Sequence, residues 1–251
     1  MLILAAIACL IGATVQSAIG FGFALILAPA LFAAVEPRAA LTTMLILSVA
    51  INLFLLGTER RRAQVLRPEV GRMLVAALPG LLLGALVFGA LSKQAIQIGV
   101  GVLVLVAAAI DWRATLPGLR EGHGRPTLPL NAALPCGLAA GFLTTTTSTN
   151  GPPMVLLLRG RGATPSELRD SNAMLLGILG VAALLTGSLL GSGLDLDPLL
   201  LGLLFVLTAA GQFAGRLLFA RLDPARFHIA GLAVVLLTGL VSLAAGLGGL
   251  G

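Results

Sequence analysis

The chain has 251 residues, 58% of them hydrophobic and only 10% charged, with a formal net charge of +6 and a mean hydropathy of +1.05. A soluble globular domain carries about a quarter charged residues, and a disordered chain lacks apolar surface on this scale, so both classes are excluded. The 32 glycines and 13 prolines are scattered through apolar runs without the three-residue period of collagen. What remains is an integral membrane protein.

Residues 1–35 form the first apolar segment, with no basic stretch ahead of it, so no cleaved signal peptide is expected. The segment would make a helix of about 50 Å, too long for one crossing and too short for two. It is broken in its middle by Gly20-Phe21-Gly22, just after Gln16 and Ser17. Three ordinary spans follow at 39–57, 73–92 and 94–110, then a linker at 111–127. The next apolar segment, 128–158, has the same awkward length and carries Thr144 to Thr147, then Ser148-Thr149-Asn150-Gly151-Pro152-Pro153. Glycine weakens a helix and proline removes a backbone donor, so the chain is predicted to reverse at both breaks. Spans at 171–190, 198–220 and 227–248 complete the chain, the second of them interrupted by Arg216.

The halves resemble each other. At an offset of 131, Gly80 and Gly84 match Gly211 and Gly215, and Leu86, Phe88, Ile98 and Val104 match Leu217, Phe219, Ile229 and Val235. Duplication is the better explanation of the paired Gly-xxx-Gly and the repeated order of spans, giving a first repeat at 1–110 and a second at 128–251.

Charge selects the threading, because cytoplasmic loops collect Lys and Arg. If both broken segments enter and leave by the same side, fourteen of the 16 basic residues face the cytoplasm and only Arg38 and Lys93 lie outside. Threading 128–158 straight across would divide the basic residues evenly. The fold expected is therefore an all-α polytopic membrane protein of two inverted-topology repeats, each a broken re-entrant helical hairpin plus three transmembrane helices. The linker at 111–127 is cytoplasmic and both termini fall outside the cell. Basic residues spread among short loops, without an aromatic platform, give no nucleic-acid surface.

Irregular backbone survives in lipid only where protein or a watery cavity shields it. Opposed hairpins would bring their breaks together near the midplane, where carriers with inverted repeats bind substrate. One break offers Gln16, Ser17, Gly20, Phe21 and Gly22; the other offers Thr147, Ser148, Thr149, Asn150, Gly151 and Pro152. Pro152 and Pro153 suit the first helical positions after an Asn150 cap. A helix N-terminus with glycines, hydroxyls and amides around it suits a small oxyanion held by neutral donors. The competing reading is that these residues only satisfy backbone at a break and let helices pack.

Gly20-Phe21-Gly22-Phe23 leading to Pro29, with Glu36-Pro37-Arg38-Ala39-Ala40 after it, resembles the first half of the TauE/SafE sulfite-exporter family, also called the toluene sulfonate uptake permeases. Ser148 to Pro153, with the Leu run after it, Arg159-Gly160 and the Pro165-to-Arg169 segment, resembles the second half. The resemblance spans nearly the whole chain. It implies a multi-pass carrier in the bacterial inner membrane for sulfite, thiosulfate or organosulfonates, with Gly20, Gly22, Ser148, Thr149, Asn150, Gly151 and Pro152 in its hairpin motifs. The family often has a Gly-Gly-Gly-like run at the first break, where Phe21 and Phe23 here alternate with glycines.

Thr42, Thr43 and Asn172, close to the breaks, join the site; Asn52 is read as interhelical glue. Arg216 is expected to snorkel, Asp170 and Glu59 to be solvated, and Cys9 and Cys136 to pack as small hydrophobes. With His123 and His228 outside any ligand spacing and no acidic pair at depth, neither a metal, nor a cofactor, nor an enzyme is predicted. A small anion and the lipid bilayer are the partners, with a homo-oligomer allowed. The rival readings are a non-transporting scaffold subunit and an anion channel.

Overall fold

The computed structural model describes residues 2–58, 62–115, 128–190 and 197–219, together with 236, 239–240, 243–244 and 246–248. The first broken segment forms α1 (Leu2–Ile19) and α2 (Phe23–Ala34), followed by α3 (Pro37–Thr58), α4 (Arg67–Phe88) and α5 (Lys93–Thr115). A 3₁₀ turn at Leu130–Ala132 leads into the second broken segment, α6 (Ala133–Thr147) and α7 (Gly151–Gly160), and then come α8 (Pro165–Leu189) and α9 (Pro198–Phe219). The stretches Pro37–Thr58, Arg67–Phe88, Pro165–Leu189 and Pro198–Leu217 are long and apolar enough to cross a bilayer. This is an all-α polytopic membrane protein. Most of the span expected at 227–248, the linker beyond residue 115, Glu59, His123 and His228 lie outside the described residues.

Two helices start six residues before their apolar runs, one on a capping box and the other on a first turn that carries the paired Glu69. Helix α8 opens six residues ahead of the span at 171–190 on a capping box, in which Thr164 Oγ1 accepts from Glu167 N–H at 3.3 Å and Glu167 Oε2 accepts from Thr164 N–H at 2.8 Å. Helix α4 likewise begins at Arg67, and the buried Glu69 of its first turn is paired with Arg161 at 3.2 Å. Thr164→Ala is expected to cost about 1 kcal/mol, read as a lower melting midpoint of the purified protein. Helix α9 is capped by Asp197 Oδ1, which accepts from the N–H groups of Leu199 and Leu200 at 2.9 and 3.2 Å.

Helix α4 lies along α6, α1 along α9, and α3 along α8. The first two crossings are close because glycines form them. A Cβ at Gly80 would collide with the Leu138 carbonyl oxygen, and one at Gly84 with Thr145 and Phe142. On the other side, a Cβ at Gly211 would sit 2.6 Å from the Leu10 carbonyl oxygen, and one at Gly215 would strike that of Thr14. Each Gly-xxx-Gly therefore receives the first arm of the broken segment belonging to the other half. One hydrogen bond recurs at both crossings: Thr145 Oγ1 donates to the Leu81 carbonyl, and Ser17 Oγ to that of Gln212, each at 2.9 Å. The same number of residues separates Ser17 from Thr145, Gly20 from Ser148, Phe23 from Gly151 and Pro37 from Pro165.

Residues 128–160 double back, since Leu128 N–H donates to the Gly160 carbonyl at 2.8 Å and Arg161 Nη1 to the Leu128 carbonyl at 3.1 Å. The first broken segment folds back too. Phe23 N–H reaches Gln16 Oε1 at 3.1 Å, and a Cβ at Gly12 would sit 3.0 Å from the Phe23 carbonyl oxygen.

Asp170 is not solvated: it is 2% exposed and its Oδ2 accepts from Gln64 N–H at 2.7 Å. With Ser171 Oγ accepting from Leu66 N–H at 2.9 Å, it pins the chain before α4 to the start of α8. Burial and the Gln64 N–H, rather than exposure to solvent, mark the setting of this carboxylate. Arg216 reaches sideways to Thr58 Oγ1 and stacks over the Phe54 ring at 5.0 Å, so it ties α9 to the end of α3. Both cysteines are free; Cys9 Sγ lies 3.3 Å from the Leu204 carbonyl and 3.1 Å from Thr208 Oγ1.

Candidate substrate site

At the first break, Gly20 and Gly22 have φ of 91° and 112°, left-handed values that glycine adopts without penalty. Gly20 also has no room for a side chain, since a Cβ there would sit 3.0 Å from Arg169 Cα. The break is then held by amides. Gln16 Nε2 donates to Asn52 Oδ1 at 3.1 Å while its Oε1 caps the first N–H of α2. Asn52 Nδ2 donates to the Ser48 carbonyl at 2.7 Å, and Asn172 Nδ2 donates to the Gly20 carbonyl at 2.6 Å. Gln16, Asn52 and Asn172 are all buried, and Asn172 Oδ1 has no hydrogen-bond partner.

The second break turns on Ser148, at φ 56° the one described non-glycine residue in the left-handed region. A residue with a Cβ costs roughly 1–2 kcal/mol there. Thr147 and Thr149 share a hydroxyl contact at 2.5 Å, and Asn150 Nδ2 donates to Thr144 Oγ1 at 2.8 Å. Asn150 occupies the N-cap position of α7, as expected, but caps nothing with its side chain. The reason is local: Pro152 and Pro153 stand where an N-cap finds its N–H donors and have none to give. In the first turn only Gly151 and Met154 carry an N–H, so the donors of this break are mainly side chains.

The two breaks adjoin, since a Cβ at Gly151 would sit 3.6 Å from Phe21 Cβ. Around that contact, Gln16, Gly20, Gly22, Thr147, Ser148, Thr149, Asn150 and Asn172 are buried, and Phe21, Gly151 and Pro152 half-buried. Two expected residues turn elsewhere. Ser17 spends its hydroxyl on the Gln212 carbonyl of α9, and Thr42 lines a cleft with Thr145 and Ser188. Thr43 is buried in α3. Asn52 bonds across helices as expected, and the α1 side chain it holds, Gln16, is the one that caps α2. Ser48, one helical turn before it, is the signal that a polar face points this way.

No carboxylate or imidazole takes part in these contacts, and among the described residues no group of three or more His, Cys, Asp or Glu could hold a metal ion. An apolar helical bundle with two adjoining helix breaks, both lined by uncharged donors, belongs to the class of multi-pass membrane transport proteins. Comparison by sequence gives the family: the model of Sulfite exporter TauE/SafE matches residues 4–242. The chain belongs to that family, whose members are transporters rather than enzymes. No curated protein and no solved structure matches.

Proposed function

We propose that the protein carries small sulfur-containing oxyanions, such as sulfite, thiosulfate or organosulfonates, across the bacterial inner membrane by alternating access. The observation that carries this reading is the adjoining pair of breaks, which bury a set of neutral donors inside an otherwise apolar bundle. Gln16, Gly20, Phe21, Gly22, Thr147, Ser148, Thr149, Asn150, Gly151, Pro152 and Asn172 surround the anion. Neutral donors suit a mobile anion because a fixed cation buried beside it would bind too firmly for release. The backbone strain at Ser148 supports this role: a glycine would relieve it, but would also remove a hydroxyl.

The matched crossings of α1 on α9 and α6 on α4 support two inverted repeats, 1–110 and 128–251, with both hairpins re-entrant and both termini outside. At these crossings the spans present glycines to the arms, so each hairpin can shift along the helix that holds it once the hydrogen bonds between them, Thr145 to Leu81 and Ser17 to Gln212 included, are broken. The anion then meets one face of the membrane at a time.

Uptake of ³⁵S-labelled sulfite and thiosulfate into proteoliposomes tests the reading. Asn150→Leu and Thr149→Leu are each expected to lower flux roughly tenfold or more, a barrier increase of about 1.4 kcal/mol or above, with unchanged amounts of protein in the membrane. Wild-type flux in both variants would remove these residues from the site. An impermeant thiol reagent should label a cysteine at Gly193 from outside the cell; labelling only from the cytosol would overturn the threading.

A further inference from the structure

Between α3, α4, α6 and α8 the structure opens a cleft of about 60 Å³, lined by Arg38, Thr42, Phe88, Thr145 and Ser188 among others. At ~15 Å³ for each water-sized group it has room for about four, and sulfite has four heavy atoms. No acidic residue lines it. Arg38 is exposed and makes no ion pair among the described residues, and the Thr42 hydroxyl makes no hydrogen bond there. Thr145 and Ser188 already donate, to the carbonyls of Leu81 and Leu184, so their oxygens remain as acceptors and Thr42 as the open donor. Thr145, on the cleft wall, belongs to α6, the helix that ends at the Ser148 break.

We propose that this cleft is an outer docking site for the transported oxyanion, which the Arg38 guanidinium and the Thr42 hydroxyl bind before it reaches the breaks or after it leaves them. A guanidinium offers paired N–H donors matched to two oxygens of one oxyanion, and an unpaired one has no competing carboxylate to displace. In the proposed threading Arg38 and Lys93 are the two basic residues on the outer face, opposite the fourteen of the cytoplasmic face. An anion on that side therefore meets little other positive charge. The inference rests on the transporter reading and adds to it a second binding station.

The test is initial-rate flux of labelled sulfite and thiosulfate for wild type, Arg38→Gln, Arg38→Lys and Thr42→Val, each in phosphatidylcholine vesicles with and without phosphatidylglycerol. Arg38→Gln is expected to raise KM roughly tenfold with Vmax within about twofold, Arg38→Lys to recover part of the loss, and Thr42→Val to raise KM less. Elution of all variants as the wild-type species keeps misfolding from mimicking the effect. Unchanged KM in Arg38→Gln, with wild-type flux intact, overturns the docking site alone. A change confined to vesicles containing phosphatidylglycerol assigns the cleft to a lipid headgroup phosphate and overturns the substrate assignment. No wild-type flux with either anion overturns the transporter reading, and the docking site with it.

Discussion

Gly80→Leu is expected to leave little folded protein. A Cβ at this position already collides with the Leu138 carbonyl oxygen and comes within 2.9 Å of Phe142 N, and both obstacles are helix backbone. A clash with a side-chain tip is relieved by a rotamer change, whereas this one is relieved only by separating α4 from α6. Overpacking usually costs about 1–3 kcal/mol, and a crossing that cannot relax belongs at or above the top of that range. Gly211→Leu should act alike, since its obstacles are the Leu10 carbonyl oxygen at 2.6 Å and Thr14 N at 3.2 Å. The control is Gly57→Leu, where nothing lies within 4 Å. Size-exclusion profiles of the three variants give the answer: monodisperse Gly80→Leu protein at wild-type yield would contradict the packing described for α4 and α6.

Gly20→Ala is expected to abolish anion flux while leaving a weakened but folded protein. A φ of 91° costs an L-residue roughly 1–2 kcal/mol, and the new Cβ would press on Arg169 Cα and Cβ at 3.0 Å. Relief requires the break to move away from α8. That movement stretches the bond from Asn172 to the Gly20 carbonyl and strands a buried acceptor, at a further cost of about 1–3 kcal/mol. Gly22→Ala should be milder, because its nearest neighbour is the Val15 side chain at 3.2 Å, although its φ of 112° is also strained. Flux and melting midpoint measured on the same samples separate the two effects. Normal flux in Gly20→Ala would mean that the geometry of this break does not matter to transport.

Several features of the molecule are legible in single residues. The membrane class follows from the length of apolar runs, a quantity that needs no partner. Both helix breaks were readable at Gly20-Phe21-Gly22 and from Ser148 to Pro153, because backbone freedom at glycine and the missing N–H of proline are properties of the residue itself. The paired Gly-xxx-Gly marked close crossings in the same way. The family motifs are contiguous and could be quoted from the chain as it stands.

The remaining features depend on what lies across an interface. Hydropathy could not find the start of α8, since the capping box at Thr164 and Glu167 extends the helix through charged residues. Nor could it show that Asp170 is buried, because the N–H group that its Oδ2 accepts from belongs to Gln64, distant in sequence. Ser17 and Asn52 each bond to the helix they face, α9 for one and α1 for the other, and the chain alone does not say which helix that is. Apolar periodicity and turn chemistry are local and set which segments are helical and where they break. Partner choice at a glycine crossing is a matter of which backbone can approach, and only the packed bundle decided that α4 takes α6 and α9 takes α1.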